Sequence, residues 1–346
     1  MKKYLYDTND FAKLNDFLHQ KKYSKIFILT DSNTRKYCLP VVSKHIDRDF
    51  TNVNISNGDT FKNMETLSAV WDDLLRHGAD RKSLLINLGG GVVTDLGGFA
   101  AVTFKRGIDF MHIPTSLLGM VDAAIGGKNG INYRTYKNQI GTIVPPAFVL
   151  LQPLFLETLP QNEWMSGFAE MLKHGLIADP VYWNELIRFV KHPADAPLLP
   201  LIQKSVEIKD RIITTDPYEK GLRKILNFGH TLGHAIETYV NYTRKQALSH
   251  GHAVAIGMIL AAYLSTQLTG LPASDAYTIK NKLQKLYPVL NFTYNDIQHI
   301  IDLLIYDKKN ENGRVNFVLL EQIGVPVWDQ KVPEKLIWDA FSYYSS

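Results

Sequence analysis

Up to Pro114 the chain alternates short β-rich runs with helical patterns, and this alternation constrains the fold more than any other feature. Lys25–Asp31, Asn52–Ser56, Ser83–Leu88 and Ile108–Pro114 read as strands, with Met64–His77 and Thr94–Phe104 as helices between them. Strands separated by helices pair in parallel through crossover connections, so a doubly wound sheet is expected. From about Pro160 the texture changes to long helical patterns over Gln161–Ala178, Pro197–Thr214, Leu222–Tyr239, His252–Leu268 and Asp296–Ile305. Breaking or capping groups separate them: Asp179-Pro180, Asp216-Pro217 and Gly270-Leu271-Pro272. The expected organisation is an α/β N-terminal domain with a parallel sheet over residues 1–160 and a mainly α-helical C-terminal domain over 161–346.

Composition narrows the function. Of 346 residues, 45% are hydrophobic and 21% charged, which is globular and gives disorder no support. A net charge of +4 is small and dispersed, so neither a nucleic-acid partner nor a membrane surface is expected. The longest apolar run, Ala253–Leu264, falls short of the roughly 20 residues that span a bilayer. The single cysteine, Cys38, cannot form an internal disulfide, as suits a reducing compartment. A cytoplasmic protein is expected.

Chemistry gathers in a few places. Gly89-Gly90-Gly91 follows a strand and opens a helix, where bare backbone approaches a pyrophosphate closely or simply makes a tight turn. Asp31, ending an earlier strand, either accepts from a ribose hydroxyl or caps the turn that follows. His230 and His234 stand one helical turn apart and so share a face, on which both can reach a metal. With 11 histidines in the chain, such a pair carries little weight alone. Its surroundings add more: His250-Gly-His252 opens the next helix, and Glu170 and Lys173 share a helix face. A Glu with two His leaves metal positions open for substrate, the alternative being hydrogen-bonded packing histidines. Asp122, Lys128, Lys137 and Asn138 interrupt apolar segments, where ionisable groups are costly unless paired or used. With Arg106, Lys173, Lys209, Arg223 and Lys308 they offer more cations than pairing demands, which points to an anion and first to phosphate.

In order along the chain stand Gly89-GGVVTDLGGF, Phe104-KRG, Ile113-PTSLLGMVDAAIGGK, Lys137-N, Gly167-FAEMLKHG, Gly221-LRKILNFGHTLGHAIE and His250-GHAVAIGM. By these motifs the chain resembles the 3-dehydroquinate synthases, a family of sugar-phosphate cyclases, from Asp31 to Lys309. The resemblance implies a dinucleotide-binding first domain, a metal- and substrate-binding second domain, NAD and one divalent metal (Zn2+ or Co2+). It implies 3-deoxy-D-arabino-heptulosonate 7-phosphate as substrate, with 3-dehydroquinate and phosphate as products. Transient oxidation of the ring alcohol acidifies a neighbouring C–H, phosphate leaves, the hydride returns, and ring opening and aldol closure follow. The implied metal ligands are Glu170, His230 and His250, which turns His234 from the ligand suggested by spacing into a substrate-contacting or proton-handling neighbour.

By the same transfer, Asp122, Lys128, Lys173, Lys209, Arg223, Asn227 and His234 are the implied catalytic set, with Arg106, Asn138 and Lys308 in substrate binding. Arg223 discriminates most, since a guanidinium grips a carboxylate through two parallel hydrogen bonds. The implied NAD positions are Asp31, Asn33, Asp59, Lys62, Gly90, Gly91, Asp95, Thr115, Ser116, Lys137, Thr158 and Leu159. Several residues depart from the family's habit: Asp59 for Glu, Ser116 for Thr, Asn129 and Thr94 in place of Thr and Gly, and His252 for the Glu of His-Gly-Glu. The last is expected either to alter the surroundings of the metal or to add a ligand. A homodimer is implied by resemblance, with Arg106 reaching a partner subunit's site. The rival readings are a cyclase acting on a carboxylate-free sugar phosphate, an NAD- and metal-dependent alcohol dehydrogenase, and a non-catalytic scaffold.

Overall fold

The computed structural model describes residues 4–6, 11–134, 136–191, 197–304 and 315–346. The chain divides into two compact units, Met1–Gly167 and Phe168–Ser346.

The first unit is built on a six-stranded sheet. Its strands are β1 (Tyr4–Tyr6), β2 (Ile26–Asp31), β3 (Thr51–Ile55), β4 (Leu84–Gly89), β5 (Asp109–Pro114) and, after the hairpin described below, β8 (Val149–Leu151). They lie in the order β1-β8-β5-β4-β2-β3, every pair parallel. Helices α1 (Ala12–Lys21), α2 (Ser32–Tyr37), α3 (Leu39–His45), α4 (Met64–Arg76) and α5 (Gly91–Thr103) connect these strands. β2 and β4 are buried along almost their whole length, as strands covered on both faces must be, and so read as unbroken apolar runs. A core of Phe27, Leu29, Leu67, Val70, Leu85, Val93 and Leu96 joins sheet to helix. The chain leaves β2 toward β3 on one side and β4 toward β5 on the other. At the carboxyl ends of β2 and β4 the strand order therefore reverses, which is where open α/β sheets bind ligands. An antiparallel hairpin, β6 (Lys128–Tyr133) with β7 (Tyr136–Ile143), stands apart from the sheet.

The second unit is mainly helical. α6 (Gln161–Ala178) runs across the division, followed by α7 (Pro180–Lys191), α8 (Leu198–Thr215), α9 (His230–Thr238), α10 (His250–Leu268), α11 (Ala273–Leu286), α12 (Tyr294–Leu304) and, near the C-terminus, α13 (Glu334–Ser345). An antiparallel ribbon, β9 (Asn316–Gln322) with β10 (Val325–Lys331), precedes α13. α10 is long and apolar enough to cross a membrane by length and composition, yet 72% of its apolar window is buried inside the protein. Its neighbours α9, α11, α13 and β9 surround it, so it is the central helix of this unit.

The pattern over Leu222–Tyr239 predicts one continuous helix, and the structure breaks it. A 3-10 turn spans Leu222–Asn227, Gly229 takes a left-handed φ of 76°, and only then does α9 begin at His230. The break is tertiary in origin. A Cβ on Gly229 would stand 2.6 Å from Met258 Cγ, and one on Gly257 would stand 1.9 Å from the Gly229 carbonyl oxygen. Only bare backbone lets α9 and α10 approach so closely.

Candidate active site

In the first unit the polar groups cluster at the carboxyl edge of the sheet. Asp31 ends β2 and caps α2: its Oδ1 accepts from the Asn33 and Thr34 amides at 2.9 and 2.8 Å. The capping alternative is thus realised, and it holds the carboxylate at the strand end. Gly90 precedes α5, whose first turn carries amides that the helix cannot satisfy and that suit an anion. Thr115 and Ser116 follow β5. The Thr115 amide donates to the Gly89 carbonyl at 3.1 Å, and a Cβ on Gly90 would come within 3.2 Å of Ser116 Oγ. These positions form one rim around the strand-to-helix turn.

Beside it, Lys62 is buried and its ammonium donates to Asp95 and Asn138. Lys137 stands 3.6 Å from Asp59, and Asn132 Nδ2 donates to Asp59 Oδ2 at 3.2 Å. Residues that the resemblance divides between NAD and substrate, Asn138 among the latter, are here joined by hydrogen bonds through Lys62 and Asn132, with Lys137 added by its ion pair to Asp59. Asn132 is a member that the sequence reading missed. Asn129 is buried and donates to the Gly127 and Val144 carbonyls at 3.0 and 2.9 Å, a structural post rather than a site residue. Asp122 sits in the helical turn Gly119–Ala123, half-buried, and Lys128 is exposed at the start of β6. Arg106 is exposed at φ 67° and lines a surface hollow of about 410 Å³ with Asp80, Arg81 and Lys105. Thr158 and Leu159 close the 3-10 turn after β8, and Asn33 is exposed on α2.

The second unit holds a converging cluster. Glu170 is fully buried on α6; its Oε2 accepts from the ammonium of Lys173, one turn on and equally buried. Its other oxygen, Oε1, faces His230 Nε2 at 3.2 Å and His250 Nε2 at 3.4 Å. These are ion-pair distances, but Oε1 accepts no aligned hydrogen bond, although it is sealed from water. Buried carboxylate oxygens are rarely left so. Ligand atoms about 2.0–2.1 Å from a tetrahedral ion stand about 3.3 Å apart, so the donor set and its spacing fit a divalent metal. The His230 and His250 rings lie 5.4 Å apart, with His234 at 5.2 and 5.6 Å from them. His230, His234 and His250 also bring one ligand atom each within 4.8 Å of one another.

Electrostatics match. Burial alone would raise the Glu170 carboxyl, but the Lys173 ammonium and the His230 ring outweigh it and hold the group well below the ordinary carboxylate range. Burial pulls His230 down, with Glu170 opposing only in part. His250 is also buried, yet Glu170 and Glu237 together push it up to about 10. Glu170 and Glu237 are offset by Lys173 and by a protonated His250, and a divalent ion that took the place of the His250 proton would meet the same two carboxylates.

Around it, Lys209 is buried on α8. Arg223 is 2% exposed and donates through Nη1 to the Pro217 carbonyl at 2.6 Å, while its own amide donates to Asp216 at 3.1 Å. Asn227 donates to Glu219 at 2.8 Å, and Glu219 is a second residue that the sequence reading missed. His252 corrects an expectation. Two positions along a helix from His250, it points elsewhere: its Nε2 lies 2.7 Å from the Pro288 carbonyl and its ring tilts against Tyr287. Lys308 lies outside the described residues.

A Gly-rich turn at the switch point of a parallel sheet, followed in the chain by helices that gather Glu170, His230 and His250, defines a class: an α/β unit joined to a helical unit that offers a Glu-His-His metal set. The structure is similar to the 2-epi-5-epi-valiolone synthase ValA from Streptomyces hygroscopicus subsp. jinggangensis with NAD+ and Zn2+ bound, with a TM-score of 0.85 at 26% identity. The likeness covers 100% of this chain and 97% of that one. A 2-deoxy-scyllo-inosose synthase complexed with carbaglucose-6-phosphate, NAD+ and Co2+ shares the fold, with a TM-score of 0.81 at 23% identity over 98% and 95% of the two chains. In sequence, residues 52–166 match the 3-dehydroquinate synthase N-terminal family model and 167–310 the C-terminal one. The 3-dehydroquinate synthase of Parabacteroides distasonis is 41% identical over 96% of this chain and 95% of its own. The chain belongs to the 3-dehydroquinate synthase family.

Proposed function

We propose that this chain converts 3-deoxy-D-arabino-heptulosonate 7-phosphate to 3-dehydroquinate and phosphate, with NAD and one divalent ion, Zn2+ or Co2+. The observation that carries the reading is the buried Oε1 of Glu170, facing two imidazole nitrogens with no hydrogen bond of its own. When bound, NAD takes up and returns a hydride, and the ion polarises the substrate oxygen beside the reacting carbon. Glu170, His230 and His250 hold the ion, and Lys173 keeps Glu170 ionised. The first unit holds NAD: the amides after Gly90 and Gly91 receive the pyrophosphate and the Asp31 rim receives the ribose. Arg223 takes the substrate carboxylate, Lys209 and Asn227 its hydroxyls, and His234 handles a proton near the metal set. Asp122, Lys128, Asn138 and Lys308 serve cofactor and phosphate. The same reading includes a cytoplasmic homodimer, with Arg106 directed to the neighbouring subunit.

The test is phosphate release from the heptulosonate phosphate by purified protein with NAD and Zn2+ or Co2+, with absorbance of NADH followed in the same cuvette. Release without accumulating NADH is the expected result. NADH accumulating in step with turnover would make the protein a dehydrogenase. Silence here, with turnover of a sugar phosphate lacking the carboxylate, would assign it to another cyclase.

A further inference from the structure

We propose that Glu237 is the positioning residue of the cluster: it fixes the ring of His250 so that Nε2 faces the metal position, and so sets metal affinity. Glu237 is buried on α9, two turns beyond His230 and on the same face. Its Oε2 lies 3.1 Å from His250 Nδ1. A carboxylate there accepts, so Nδ1 keeps its proton, and the nitrogen left to exchange its proton for a metal ion is Nε2, the atom 3.4 Å from Glu170 Oε1.

His230 follows the same rule with a different partner. Its Nδ1 lies 3.1 Å from the Phe228 carbonyl, which can only accept, and its Nε2 faces Glu170 at 3.2 Å. Both imidazoles are therefore tied at Nδ1 and converge at Nε2. The distinction is charge: a backbone carbonyl orients His230, while a carboxylate orients His250 and makes its ring a stronger donor. His252, the position expected to alter the surroundings of the metal, is committed to Pro288. Nothing in the resemblance or the spacing had given Glu237 a role.

The inference rests on the reading of Glu170, His230 and His250 as a metal centre, and the experiment separates the two. The full-length protein, stripped with a chelator, is titrated with Zn2+ against a chromogenic competitor and with Co2+ by visible absorption. Wild type, Glu237→Gln and Glu237→Ala are compared, with melting curves of the metal-free proteins as a check on folding. Glu237→Gln keeps the shape and removes the charge; it is expected to bind roughly 10- to 100-fold more weakly, with a shifted Co2+ band, while the metal-free protein still unfolds in one cooperative transition. Equal affinity in Glu237→Gln and wild type overturns the role of Glu237. A wild type that binds neither ion overturns the metal centre itself. In the Zn2+-loaded wild type, long-range 1H–15N spectra test the orientation with no substitution: a proton retained on His250 Nδ1 is expected, and ligation through Nδ1 refutes the proposal.

Discussion

Glu170 and Lys173 show how far single residues were legible. Their shared helix face follows from spacing, and both side chains are buried almost completely. That Lys173 occupies one carboxylate oxygen and leaves the other facing two imidazoles is a matter of rotamers and neighbours, which spacing does not carry. Removing the ammonium takes from buried Glu170 the partner that donates to its Oε2 and leaves it facing the two imidazoles. Lys173→Met is therefore expected to lower the stability of the metal-free protein by about 3–5 kcal/mol, read from urea unfolding in a chelator. A loss below about 1 kcal/mol would mean that water or another cation reaches Glu170. Arg223 was legible as a cation that could serve a carboxylate, but not as a buried one anchored to Pro217. Arg223→Lys keeps charge and loses the planar fork, so kcat/KM for the heptulosonate phosphate should fall by about 1.5–3 kcal/mol, between tenfold and a hundredfold and more. Unchanged kinetics would remove Arg223 from substrate recognition.

At the scale of elements, the pairing of α9 with α10 decides whether the site exists. Gly229 and Gly257 meet backbone to backbone, and that approach sets His230 and His234 against the first turn of α10, where His250 sits. Helical periodicity predicted both helices. It missed the left-handed break at Gly229, because glycine inside an apolar pattern reads the same whether it continues a helix or ends a turn. A methyl group on Gly257 would stand 1.9 Å from the Gly229 carbonyl, and the helices must part to admit it. Gly257→Ala is expected to cost about 1–3 kcal/mol in denaturant unfolding and to weaken Zn2+ binding in the same protein. If stability falls while metal affinity stays at the wild-type level, the glycine contact serves packing alone. Asp296 offers an independent element-level test. It joins α12 to the segment after α9 through Arg244 and Tyr239, and Thr293 donates to it at 2.6 and 2.8 Å. Burial opposes its ionisation, but these donors hold its carboxyl well below the ordinary range. The stability it contributes is present above the unfolded carboxyl's pKa and is lost as pH falls through the folded one. Asp296→Asn should cost about 1.5–3 kcal/mol at pH 7 and progressively less as the pH falls below the ordinary carboxylate range, by urea midpoints.

For the molecule as a whole, acid sensitivity has a further source in the sheet of the first unit. His112 is 2% exposed on β5, its Nδ1 3.2 Å from Asn87 Nδ2, and burial pushes it down to about 3 from 6.5. The unfolded ring takes up a proton near pH 6.5 and the folded one only near 3, so between these values the unfolded state binds more protons and stability falls as pH falls. The slope approaches about 1.4 kcal/mol per pH unit for one proton. His112→Gln should flatten the pH dependence of the urea midpoint between pH 6 and pH 4, and a curve parallel to wild type would place the acid sensitivity elsewhere. The sequence by itself determined the alternation that makes a parallel sheet, the helical second half and the strand-to-helix glycines, because periodicity and local backbone preference are properties of neighbours in the chain. Only tertiary structure decided which nitrogen of each histidine faces Glu170 and that Glu237 rather than His252 meets His250. Those outcomes depend on which groups distant in sequence are brought within hydrogen-bond reach, and a spacing along one element says nothing about the partner across from it.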